Sequence, residues 1–210
     1  RLWRSGNSPL FFQEQLKVPV IIVDDYQLPP SADQKSLIIC SSYSGNTEET
    51  ISCFNQALKQ SDNIFGITSG GVLAGLLKQY NKPFFQFDPL LNPSKQPRLG
   101  QGFMIIAALA LFTRLKLLPL NRAEINRLTR FLRSRNSNLV ITSASSQNAA
   151  KILALQFNDY VINLISGGFL KGVLHAIRNP LNETAKHFAN YFELPEINHH
   201  LLEGLKFPKN

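Results

Sequence analysis

The apolar run at residues 37–40 passes without a break into Ser41-Ser42-Tyr43-Ser44-Gly45-Asn46-Thr47-Glu48-Glu49-Thr50, and an amphipathic helical pattern starts inside that polar stretch. A strand end, a tight turn and a helix start must therefore coincide, which is the geometry of a βα unit. The rest of the chain repeats the alternation. Apolar runs at 18–23, 37–40, 64–67, 84–87, 139–142 and 160–165 predict strands. Helical patterns at 47–60, 72–79, 98–115, 122–133, 147–155 and 182–190 fall between or after them. Strands alternating with helices predict an α/β fold of parallel sheets flanked by helices.

A proline-rich stretch, DPLLNPSKQP at 88–97, is too broken for an element and reads as a loop that presents residues to a site. The two helical patterns after it separate the strand groups, so two sub-domains are expected, 1–117 and 118–210. ITSGGVLAG at 67–75 is echoed by LISGGFLKG at 164–172, a strand, a Ser-Gly-Gly turn and a helix in each case, which fits a doubled architecture. The longest apolar run, 103–112, is followed at once by Thr113 and Arg114. It is far short of the ~20 residues of a membrane span and reads as a buried helix. No secretory signal pattern opens the chain, so no membrane partner and a cytoplasmic location are expected.

Cys40 and Cys53 have neither the number nor the spacing of a disulfide framework or zinc site, and read as reduced core thiols. The formal net charge of +8 raises nucleic acid as a partner. However, Arg122, Arg127, Arg130, Arg133 and Arg135 surround Leu128, Phe131 and Leu132 as the solvated face of one helix would. Nucleic acid is therefore not expected, whereas a positive balance suits a small anionic substrate.

The polar turn carries the chemistry. A helix N-terminus offers unpaired N–H groups and a partial positive charge, and hydroxyls in the same turn complete a cage for a phosphate monoester. Gly45 lets backbone approach without a side chain in the way. The lysine and glycine spacing of a nucleotide P-loop is missing. A capping box, with Asn46 as N-cap and Glu49 three residues on, would account for those two residues but not for the hydroxyls of Ser42, Ser44 and Thr47. SYSGNTEET resembles the phosphate loop of sugar isomerase (SIS) domains, and that resemblance implies Ser42, Ser44 and Thr47 as the binding side chains.

The segment LNETAKHFANYFELPEINHH at 181–200 contains Glu183 and His199, which the Pro195 turn could bring together. Taken alone, Glu183 reads as a first-turn acid facing the helix dipole and His199 as a loop residue. The segment resembles the LNENAK and NHNE elements of bifunctional phosphoglucose/phosphomannose isomerases, and the resemblance runs over about residues 5–204, including VPVIIVDDYQLP and the proline-rich loop. It implies two SIS-type (flavodoxin-like) sub-domains, the second incomplete at its C-terminal end. By the same resemblance Glu183 is the enediol-forming base, His199 opens the sugar ring and Arg98 steadies the enediolate. Ser5 aligns with a further phosphate-touching serine, while Trp3 and Arg4 stand where glycines are expected, and His200 and Leu201 replace an asparagine and a glutamate. The implied activity interconverts glucose 6-phosphate and/or mannose 6-phosphate with fructose 6-phosphate through a cis-enediolate. The alternative is a non-catalytic SIS sensor of sugar phosphates. A homodimer is implied as well. Adjacent His199 and His200 lack metal-ligand spacing, so no metal and no cofactor are expected. His175 and His187 have no distinctive setting.

Overall fold

The computed structural model describes residues 16–207. Trp3, Arg4 and Ser5 lie outside them. The chain divides into two compact units, one spanning Val18–Leu115 and the other formed by the chain from Lys116 onward together with residues 16–17.

In the first unit β1 (Ile38–Ser42), β2 (Ile64–Thr68) and β3 (Phe84–Gln86) form a parallel sheet in the order β1-β2-β3. Ile38 pairs with Ile64 and Ser42 with Thr68, and Thr68 in turn pairs with Gln86, so the three strand ends that carry polar side chains are level. The helices α1 (Glu48–Gln60), α2 (Gly71–Gln79) and α3 (Gln101–Arg114) connect and cover the strands. Alternation along the strands separates two cores. Ile38, Cys40 and Ile64 pack with Phe54, Ala57, Leu73 and Leu77 of α1 and α2, while Ile67 packs with Phe87 and Ala107, joined by Ile39, Phe65 and Phe103. Each large side chain so buried contributes about 1.5–3 kcal/mol, which is what orients the helices on the sheet.

α1 forms because Cys53, Phe54 and Ala57 make one buried stripe, with Glu48 and Glu49 in the first turn and Lys59 in the last, charges that suit the helix dipole. It stops at Ser61, whose N–H still donates to Ala57 O while its hydroxyl donates to Ser36 O at 2.8 Å. The run at 103–112 is helical, as expected, but it is not buried all round. Ala107 and Phe112 are buried, whereas Ile105 and Ile106 are about half exposed, because α3 lays a single face on the sheet. The run 18–23 is no strand. It pairs with neither edge of the sheet, and the chain just after it is held by side chains of α1 instead: Gln56 Nε2 and Ser52 Oγ both donate to Tyr26 O, and Leu28 N–H donates to Gln56 Oε1.

The second unit holds α4 (Arg122–Asn136), α5 (Ala149–Phe157), β4 (Ile162–Gly167), α6 (Lys171–Glu183), β5 (Ala189–Leu194) and α7 (Ile197–Gly204), with β4 and β5 paired in parallel. α4 opens on a complete capping box between Asn121 and Glu124. The strand expected at 139–142 is a pair of turns, since Val140 O accepts from Ser143 N–H and Asn148 Nδ2, and Ile141 O accepts from Lys151 Nζ. The helix expected at 182–190 lies earlier, as the echo of the Ser-Gly-Gly turns implied. α6 ends at Glu183, where Thr184 and Ala185 N–H both reach Pro180 O and Lys186 adopts φ 58°, and 189–194 is strand. The fold class is thus α/β with parallel sheets flanked by helices, as an SIS-like sub-domain requires. The two paired strands described in the second unit do not by themselves make out a second such sub-domain.

The turns that follow β1 and β2 are pressed together. Gly45 has φ 73°, and a Cβ there would lie 1.8 Å from Gly70 O; Gly71 has φ 68°, and its Cβ would lie 2.3 Å from Ser44 O. Gly75, four residues further along α2, faces open space. Gly71→Ala is therefore expected to cost at least ~2 kcal/mol, from left-handed strain plus overlap, and Gly75→Ala to stabilise by ~0.5–1 kcal/mol. Urea unfolding of the two variants checks the contrast, and equal effects would contradict the close approach.

Candidate functional site

The turn at 41–47 lies at the carboxyl end of β1, where ligands of open parallel sheets bind. Ser42 is buried and central to it. Its Oγ accepts from Gly45 N–H at 3.0 Å and shares a hydrogen bond of 2.7 Å with Thr47 Oγ1. Ser44 Oγ accepts from Asn46 N–H at 3.2 Å, and Ser44 and Thr47 are both exposed. The sequence-expected phosphate ligands Ser42, Ser44, Thr47 and Gly45 are thus gathered in one turn.

Thr47, not Asn46, is the N-cap of α1, with φ −66° and ψ 117°. Its hydroxyl is turned toward Ser42, and no side chain caps the helix. The capping box weighed for Asn46 and Glu49 is absent. Asn46 reaches across instead, its Oδ1 accepting from Val72 N–H at 3.0 Å, so that it caps α2 where Gly70 has no side chain to offer. Leu73 N–H donates to Gly45 O at 2.9 Å beside it. The first-turn N–H groups of α1 are consequently not taken up by a capping side chain, and they point out of the turn with the positive end of the helix dipole. Opposing this, Glu48 and Glu49 stand in the same first turn. Glu48 accepts from Tyr26 Oη at 3.3 Å, and the charges of Glu49 and Glu48 push the Tyr26 hydroxyl pKa up.

Thr68, Ser69 and Gln86 also shape the turn, and the sequence pattern did not single them out as part of the site. Tyr43 O accepts from both Ser69 N–H (3.0 Å) and Ser69 Oγ (2.7 Å). Thr68 Oγ1 donates to Gly70 O and accepts from Gly70 N–H, closing the second turn. Gln86 Nε2 donates to Ser69 O from the end of β3. The Ser-Gly-Gly echo marked the second turn as a turn. Its contact with the first could not be read from local spacing.

Arg98 lies on the 3-10 turn Pro97–Gly100, half-buried, in the same unit as the phosphate turn. Glu183 ends α6 and His199 sits in the first turn of α7, both exposed. Asn182, next to Glu183, exchanges hydrogen bonds with Ala189 N–H and O, so Glu183 stands beside the beginning of β5, whereas His199 follows its end. A six-residue strand spans ~20 Å. Within one chain the structure therefore keeps Glu183 and His199 apart, and the Pro195 turn does not fold one over the other.

Cys40 and Cys53 are free, buried thiols, as expected; burial, with the neighbouring Cys53, pushes the Cys40 pKa up to about 12. His187 Nε2 lies 2.7 Å from Tyr160 O, and His175 packs edge-on to Tyr191. Among the described residues no group of three or more His, Cys, Asp or Glu could hold a metal ion, and no helix is long and apolar enough to cross a membrane.

Residues 146–210 match the family described as the bacterial phospho-glucose isomerase C-terminal SIS domain. The chain is 32% identical over 203 residues to a bifunctional phosphoglucose/phosphomannose isomerase of Caldicellulosiruptor bescii, with 96% of this chain and 58% of that protein covered. Proteins of the same name from Thermoplasma volcanium (31% identity, 90% of this chain, 56% of that one) and Aquifex aeolicus (29%, 91% and 54%) are also similar. The chain thus spans a little over half the length of these relatives. A Bacillus subtilis crystal structure, provisionally described as a phosphosugar isomerase, superposes with a TM-score of 0.54 at 18% identity, covering 83% of this chain and 52% of that one, which shows the fold. The chain is an SIS-domain-containing protein related, at low to moderate identity, to the bifunctional phosphoglucose/phosphomannose isomerases.

Proposed function

We propose that the chain binds hexose 6-phosphates at the turn 41–47 and interconverts glucose 6-phosphate and/or mannose 6-phosphate with fructose 6-phosphate. The observation that carries this reading is the α1 N-terminus, left without a side-chain cap while the exposed residues Ser44 and Thr47 flank it. A phosphate monoester placed there would accept from the Ser44 hydroxyl, from the Ser42 and Thr47 hydroxyls once their shared hydrogen bond opens, and from backbone N–H groups that Gly45 leaves uncovered. Ser5 would add a further hydroxyl. The names of the relatives supply the hexose and the reaction.

The chemistry needs one base and one acid/base group. Glu183 would take the proton from C2 of the open aldose, giving a cis-enediolate, and, once the O2 proton has passed to O1, return its proton to C1 to give the ketose. Glucose and mannose differ only at C2, so both pass through the same enediolate. Arg98 would balance its charge, and His199 would move the proton that opens the ring. Because Glu183 and His199 stand at opposite ends of β5, we assign them to one site only across two chains, His199 coming from a second copy of a homodimer. The same separation favours a second reading for a chain that does not pair, a sensor that binds sugar phosphate without turnover.

Glu183→Gln keeps size and hydrogen bonding and removes the base. It is expected to leave hexose 6-phosphate binding within about twofold and to lower turnover by ~10²-fold or more, measured by coupled detection of fructose 6-phosphate. Full activity in the variant would rule out the assigned base, and binding with no turnover in the parent chain would establish the sensor. Mixing inactive Glu183→Gln and His199→Ala chains is expected to restore about a quarter of the parent activity, since half of the statistical dimers carry one intact site. No recovery after verified subunit exchange would place both groups in one chain.

A further inference from the structure

Tyr43 sits in the phosphate turn between Ser42 and Ser44, yet its side chain turns away from the hydroxyls. The ring packs edge-on against Phe87 at 5.1 Å between centroids. On another side it meets the backbone of Gly100 so closely that a Cβ there would lie 2.3 Å from Tyr43 Cε2. Its hydroxyl accepts from Asn92 Nδ2 at 3.0 Å. Asn92 is 5% exposed, and further side-chain bonds of its amide organise the proline-rich loop: Nδ2 donates to Gln96 O at 2.9 Å, and Oδ1 accepts from Ser94 Oγ at 2.6 Å. The amide's donors are therefore spent on Tyr43 and on the carbonyl two residues before Arg98. Every contact of this set lies within the unit Val18–Leu115.

We infer that Tyr43 and Asn92 are a positioning pair that couples the phosphate turn to the segment carrying Arg98, so that the turn which holds the phosphate also fixes where the guanidinium stands. This rests on the proposed phosphate site. Asn92 is buried and Tyr43 half-buried, and the pair acts through Arg98. A loop of this composition has many conformations of similar energy, and a hydrogen bond from a buried amide to a half-buried hydroxyl selects one of them. Backbone contact at Gly100 makes the selection steric as well.

Two probes separate the roles. Inorganic phosphate reports on the turn, and 5-phospho-D-arabinonate, whose carboxylate reproduces the charge of a C1–C2 enediolate, reports on the turn and on Arg98 together. Calorimetric titration is made on the full chain, on Tyr43→Phe, on Arg98→Ala and on the double variant. Tyr43→Phe keeps the ring contacts and deletes the hydroxyl. It is expected to leave phosphate affinity within about twofold and to weaken the arabinonate by about three- to tenfold, the worth of one hydrogen bond. With Arg98 already removed, the same change should alter arabinonate affinity by less than about twofold. Gly100→Ala, which pushes the Arg98 segment off the ring without altering the turn's side chains, is expected to show the same selectivity. If Tyr43→Phe weakens both probes alike, changes neither, or acts equally with and without Arg98, the coupling is wrong and Tyr43 is only part of the packing. A chain with Ser42, Ser44 and Thr47 all replaced by alanine should lose both probes; if it keeps both, the phosphate site itself fails, independently of the pair.

Discussion

One hydrogen bond between two turns sets the rest of the site: Asn46 Oδ1 accepting from Val72 N–H. A helix start needs its first N–H groups satisfied, and the nearest suitable side chain is normally spent on its own helix. Here the residue best suited to cap α1 caps α2. The cross-over is possible because Gly45 and Gly71 hold left-handed backbone and let the two turns approach within a distance that no Cβ would tolerate. It leaves α1 with Thr47 as N-cap, its hydroxyl bound to Ser42 rather than folded back on the helix. The positive end of α1 then faces outward, flanked by hydroxyls, and a bound anion can supply the acceptors that a capping side chain does not.

The same turn is anchored on its other side. Tyr43 O takes two hydrogen bonds from Ser69, and Gln86 ties Ser69 to the end of β3, so the three strand ends of the sheet are joined by polar contacts above a closely packed apolar core. Such a turn need not reorganise much to receive a ligand, which is how rigid scaffolds gain affinity. In the proposed reaction Arg98 shares the first unit with the turn, while the proton-transferring groups sit on the second, where β5 separates Glu183 from His199. On the proposed reading the phosphate contacts of the turn come from one chain, while the proton transfers call for a second.

What was legible in the sequence follows how local each feature is. The strand, turn and helix around residues 38–60 were readable because their signals lie within one stretch of chain, and the hydroxyls that matter are in it. The role of Asn46 was not, because its partner is 26 residues away and the local pattern, Asn followed three residues later by Glu, points to the wrong helix. The runs 18–23 and 139–142 have strand composition but no ladder partner among the described residues, and composition carries no information about who pairs with whom. At 182–190 the helical pattern gave way to β5, whose Tyr191 and Phe192 suit a strand packed against α6, while the helix itself began where the Ser-Gly-Gly echo had placed it. The separation of Glu183 from His199 depended on the course of β5, which the spacing of the two residues did not reveal.

The central claim, that the outward-facing start of α1 is a phosphate site, is tested most directly by titrating the isotope-labelled chain with glucose 6-phosphate and following its backbone amide resonances. A phosphate held at this helix start gives its largest shifts at residues 44–50, saturating with phosphate ester and nearly absent with unphosphorylated glucose. Shifts of equal size with glucose, or a response confined to residues away from this turn, would contradict it.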